Sequence, residues 1–179
     1  MERKVYSYRE ALNIVEDFMI KSGIRKYCEM VCKGQCCGSY RDKEDGKFHK
    51  CWESKNACWK NEGRRLPCSI FICSWLLELL PDADKLAEIR EEIVQTLWDI
   101  MKENPYYHPN TPKIQQEFSI DKEIMDKIKS FNVREYRKIT NFLIERKIDL
   151  YYASFEYVSR IKHEIEEYEQ RQNSFGGGI

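Results

Sequence analysis

The cysteines of this 179-residue chain are confined to one short stretch, and that crowding restricts the fold more than any other feature. All eight lie between positions 28 and 73: Cys28, Cys32, Cys36, Cys37, Cys51, Cys58, Cys68 and Cys73. Thiols this dense in sequence either pair as disulfides or share metal, because protein cores rarely contain so many unreacted thiols. We therefore predict that this block carries the function.

Length and charge narrow the class of protein. At 179 residues the chain is long enough to bury one hydrophobic core without disulfides or metal. Its 30 Lys and Arg balance its 30 Asp and Glu, so no net field attracts nucleic acid or an acidic membrane. No stretch approaches the roughly 20 apolar residues of a membrane span, and the first residues lack the apolar segment of a secretory signal. We expect a cytoplasmic protein that binds neither nucleic acid nor membrane, in a compartment where cysteines are usually metal ligands or reactive thiols.

The first helix is indicated by a capping box. Ser7 and Glu10 are three residues apart, so the serine oxygen can accept a hydrogen bond from the helix start while the glutamate bonds back to it. Apolar residues then recur at helical spacing, and Gly23 is a suitable end for the helix. From Gly34 to Gly63 the periodicity disappears, which indicates loops.

After the cysteine block the helical periodicity returns. The segment from Ser69 to Leu80 predicts a strongly apolar helix ended by Pro81, and Asp82 or Asp84 is placed to cap the next one. Whether residues 148 and 149 interrupt the last two helical patterns stays open. The further apolar stripes are Leu86, Ile89, Ile93, Leu97 and Ile100; Ile124 and Ile128 after Asp121; Tyr136, Ile139, Leu143 and Ile144; and Tyr151, Phe155, Val158, Ile161, Ile165 and Tyr168.

Together these patterns predict a mainly α fold, in which one helical domain spans residues 1–179 and contains a cysteine-rich, loop-dominated metal-binding insert. Within it we expect an N-terminal helix in residues 1–27 and a cysteine-cluster region in residues 28–75. A helical region should follow in residues 76–172, and a flexible tail in residues 173–179.

The cysteine spacing suggests how the thiolates converge. Cys28 and Cys32 are four residues apart, so one helical turn would place both sulfurs on one face. Cys36 and Cys37 are adjacent and would point in opposite directions in an extended chain, which allows them to serve different centres. The four later cysteines lie in loops that can bring distant thiolates together. Nine Lys and Arg against six Asp and Glu between positions 28 and 73 would offset thiolate charge.

The choice of metal depends on the same spacing. Structural zinc typically uses Cys-x2-4-Cys pairs, and this chain has x3 and x4 spacings but no Cys-x2-Cys. Iron–sulfur clusters take four thiolates at more varied spacings, so the sequence favours an iron–sulfur cluster, with zinc second. One cluster with spectator cysteines, a cluster plus zinc, or two centres all stay open. Two other functions stay open: a zinc-stabilised module whose helical face binds a protein partner, and a disulfide-stapled protein without metal.

Three segments of the block resemble a known family. They are Cys28-x3-Cys32-Lys-Gly34-Gln-Cys36-Cys37, Cys51-x6-Cys58 and Arg65-Leu-Pro67-Cys68. They are similar to the YkgJ-type cysteine-cluster family, which is described as zinc- or iron-chelating, and the resemblance covers about residues 28–73. Ser69 stands where that family has an arginine. The resemblance implies metal ligation at the eight cysteines and no particular reaction, and the chain carries no common phosphate-loop, dinucleotide or nucleophile motif. Whether the protein is an enzyme stays undecided.

Overall fold

The computed structural model describes residues 4–33, 66–103 and 112–175, and most of these residues are helical, as the sequence predicts. Predictions that concern the other positions, including the loops expected from Gly34 to Gly63, lie outside the described residues. The elements in chain order are β1 (Val5–Ser7), α1 (Tyr8–Lys21), α2 (Ile24–Tyr27), a π-helical turn (Cys28–Cys32), α3 (Leu66–Ser69), α4 (Ser74–Leu79), α5 (Ala83–Glu103), α6 (Pro112–Glu117), β2 (Ser119–Asp121), α7 (Lys122–Ser130), α8 (Val133–Glu145) and α9 (Phe155–Phe175).

The predicted capping box begins α1. Ser7 Oγ accepts a hydrogen bond from Glu10 N, and Glu10 Oε2 accepts one from Ser7 N at 2.9 Å. The helix ends at Lys21, and Gly23 follows with a φ of 78°, a left-handed conformation that glycine adopts without strain. Gly23 also lies against Thr140 of α8, where a Cβ would overlap Thr140 Oγ1. The corner between α1 and α2 is therefore pressed closely against α8.

A small sheet that the sequence patterns did not indicate joins the start of the described chain to its later half. β1 and β2 pair antiparallel, with Tyr6 opposite Ile120. Strands of three residues are too short to show an alternating pattern, which explains why they were missed. Ile120 is buried, and the ring of Tyr8 packs edge-on against Phe118. The sheet therefore fixes the start of α1 against the chain that leads into α7.

The prediction of one continuous helix from Ser69 to Leu80 is wrong. Two short helices, α3 and α4, are separated by non-helical chain at residues 70–73. Ile70 and Ile72 are both buried, whereas Phe71 between them is exposed. Residues two apart lie on the same side of an extended chain but on different faces of a helix. Burial of both isoleucines therefore favours the break, and Cys73 then begins α4.

The later helices largely follow their apolar stripes. In α5 the buried residues are Leu86, Ile89, Ile93 and Leu97, and in α8 they include Tyr136, Ile139 and Leu143. The open question at Ile148 and Asp149 is settled: α8 ends at Glu145, Lys147 has a φ of 53°, and α9 begins only at Phe155. Phe155 is 68% exposed, so its assignment to the core stripe is wrong.

The last helix runs to Phe175 and therefore includes the first three residues of the segment predicted as a flexible tail. Residues 176–179 lie outside the described chain. Among the described helices, none combines the length and the apolar content needed to cross a bilayer.

Candidate metal centre

The structure describes three of the eight predicted ligands in full. Cys28 and Cys32 form the two ends of the π-helical turn, and Cys73 immediately precedes α4. Cys68 lies in α3, but its side chain is outside the described part of the chain. The remaining four predicted ligands lie outside the described residues: Cys36, Cys37, Cys51 and Cys58.

The first two cysteines lie on a helical turn of an unusual kind. α2 passes directly into the π-helical turn, whose last bond runs from Lys33 N to Cys28 O. Lys33 then leaves the helical path with a φ of 50°. Single π-helical turns often mark functional sites, because the extra residue re-aims the side chains that follow. Cys32 is buried and Cys28 is half-buried, so the turn directs the Cys32 sulfur into the protein.

Cys73 is oriented by the helix that it begins. Its backbone is extended, with φ −62° and ψ 149°, and its sulfur accepts a hydrogen bond from Leu76 N at 3.4 Å. A serine or aspartate oxygen usually fills this capping position. The half-buried Cys73 sulfur therefore has a defined direction even without a metal.

One buried hydroxyl group belongs to the residue immediately before Cys28. Tyr27 has no exposed surface, and its hydroxyl donates to Ile148 O at 2.8 Å and accepts from Leu150 N at 3.3 Å. Burial, and then a hydrogen bond with Cys32, raises the pKa of the Tyr27 hydroxyl above its ordinary value. The Tyr27 hydroxyl thus joins the chain immediately before Cys28 to the segment that follows α8.

An ion pair between Arg25 and Glu16 holds the chain near both ends of the cysteine block. Arg25 Nη2 donates to both carboxylate oxygens of Glu16 at 2.8 Å, and Ser69 Oγ donates to Glu16 Oε1. Arg25 lies three residues before Cys28, and Ser69 directly follows Cys68. The Glu16 carboxylate of α1 therefore connects α2 to α3, and so connects both ends of the cysteine block.

Both ends of α3 are held against α1. The hydroxyl of Tyr8, at the start of α1, accepts a hydrogen bond from Leu66 N at 3.0 Å. Ser69, at the other end of α3, donates to Glu16 and is fully buried. The backbone of Cys68 lies between these two anchors, so its position is set by α1. Sequence reasoning missed this network, because Glu16, Arg25 and Ser69 carry no shared periodicity or motif.

The donor chemistry fits a thiophilic metal, although the described residues do not complete a site. Within residues 4–33, 66–103 and 112–175, no group of three or more His, Cys, Asp or Glu side chains is arranged to hold a metal ion. The thiols of Cys28, Cys32 and Cys73 are soft ligands of the kind that iron–sulfur clusters and zinc take. The side chains of the other five predicted ligands lie outside the described part of the chain, so the ligand set stays a prediction.

The comparisons with known proteins give no relative from which to transfer a role. Neither the protein-family models, nor the curated proteins, nor the solved structures contain a match to this chain. The resemblance to the YkgJ-type family accordingly stays a prediction. The fold and the site together define a mainly helical, cysteine-rich protein.

Proposed function

We propose that this protein binds an iron–sulfur cluster through thiolates of the cysteine block, for a redox, substrate-positioning or structural purpose. The observation that carries the proposal is the orientation of the described thiols: Cys28 and Cys32 lie at the two ends of one π-helical turn, and Cys73 is held by the hydrogen bond from Leu76 N. Four thiolates complete the usual ligand set of a cluster, and these three described cysteines belong to the predicted set. Cys36, Cys37, Cys51 and Cys58 lie between the two described cysteine segments in the sequence.

The support around the thiols is consistent with this role. The hydrogen bond from Leu76 N orients Cys73, and the Glu16 carboxylate anchors α2 and α3 to α1. Ligands held in this way lose little conformational freedom when metal binds, which favours binding. A bound cluster would in turn stabilise the fold, because metal binding contributes directly to folding free energy.

A second candidate is a zinc-stabilised module that binds a protein partner. It is favoured by two exposed aromatic side chains at the start of α9, Tyr152 at 84% and Phe155 at 68% exposure. Aromatic side chains are enriched where proteins bind each other, and a zinc site would then serve only to hold the fold.

Elemental analysis of protein purified without oxygen separates these functions. A brown protein that contains iron and sulfide and absorbs at about 400 nm supports the cluster. A colourless protein with stoichiometric zinc supports the interaction module. Metal-free protein whose thiols cannot be titrated until a reductant is added supports a disulfide-stapled chain and overturns metal binding.

Serine substitutions then test the ligands one at a time. We expect Cys37→Ser and Cys68→Ser to lower metal content and thermal stability together, and Cys58→Ser to have a milder effect. Cys68 is chosen because its backbone in α3 is anchored to α1. Cys37 is chosen because it lies in the segment that best matches the family pattern. Cys58, in the most polar part of the block, serves as the matched control. If metal content and melting temperature are unchanged in both Cys37→Ser and Cys68→Ser, the ligand assignment is wrong.

A further inference from the structure

We draw no further inference here: the strongest candidate, the exposed aromatic surface patch of Tyr152 and Phe155 at the start of α9, carries none because nothing in the described part of the chain shows what covers it.

Discussion

Neutralising Glu16 should destabilise the protein far more than the same change one residue further along the chain. The Glu16 carboxylate accepts two hydrogen bonds from Arg25 and one from Ser69. In Glu16→Gln the guanidinium of Arg25 keeps its charge but loses the only carboxylate that it contacts among the described residues. Arg25 Nε is buried and has no hydrogen-bond partner in the described part of the chain, so it gives the guanidinium no second contact once the carboxylate is neutralised.

The size of the effect follows from burial. The Arg25 side chain is 10% exposed and the Glu16 side chain 29%. Breaking a fully buried ion pair by removing one partner costs about 3–5 kcal/mol, and the partial exposure of Glu16 brings this to about 2–3 kcal/mol. For a domain of this size each kcal/mol lowers the melting temperature by about 2–4 °C, so we expect a fall of about 4–12 °C.

Asp17→Asn is the matched control for the assay. Asp17 forms an ion pair with Lys21 at 2.7 Å, but both side chains are more than half exposed. Surface pairs of this spacing contribute about 0.3–0.5 kcal/mol, so the melting temperature should fall by about 2 °C at most. Thermal unfolding followed by circular dichroism measures both variants, and metal content is measured on the same samples. Equal melting temperatures for Glu16→Gln and Asp17→Asn would refute the argument that Glu16 neutralises a buried charge.

Two further predictions concern the ends of α1. Gly23→Ala should destabilise by about 2–4 kcal/mol, through the strain of a left-handed alanine and its overlap with Thr140. Adding Thr140→Ala should relieve the overlap but not the strain, so denaturant unfolding of the four proteins should give a non-additive cycle. At the other end, hydrogen bonds from the Ser7 side chain and then its backbone lower the pKa of Glu10. The stabilisation by ionised Glu10 is therefore present above the unfolded-state pKa and is lost as pH falls through the lower folded-state pKa. Glu10→Gln should then flatten the acid limb of a plot of unfolding free energy against pH. An unchanged plot counts against this cap.

The parts of the fold that the sequence predicts are those governed by neighbouring residues. The Ser7 and Glu10 cap and the stripe of α5 follow from spacings of three and four residues, and both are confirmed. The break before Cys73 depends on burial of Ile70 and Ile72, which is decided by what packs against them. A helical pattern cannot show which faces the rest of the chain will cover.

The candidate site also combines features that neighbouring residues determine with features that tertiary packing determines. The helical placement of Cys28 and Cys32 follows from their spacing, although the π-helical form of the turn does not. The link between Arg25 and Ser69 passes through Glu16 of α1, and the contact of Tyr27 with residues 148–150 crosses most of the chain. Such contacts depend on tertiary packing, so no local motif predicts them.

The partners of Tyr27 also set an order of events during synthesis. Tyr27 is made 121 residues before Ile148 and 123 residues before Leu150, the two groups that hold its hydroxyl. At about 5–20 residues per second, several seconds separate these steps on the ribosome. The turn that bears Cys28 and Cys32 therefore emerges well before the chain that encloses it. Its thiols are therefore accessible on the growing chain for that interval, before the residues that hold the Tyr27 hydroxyl have been made.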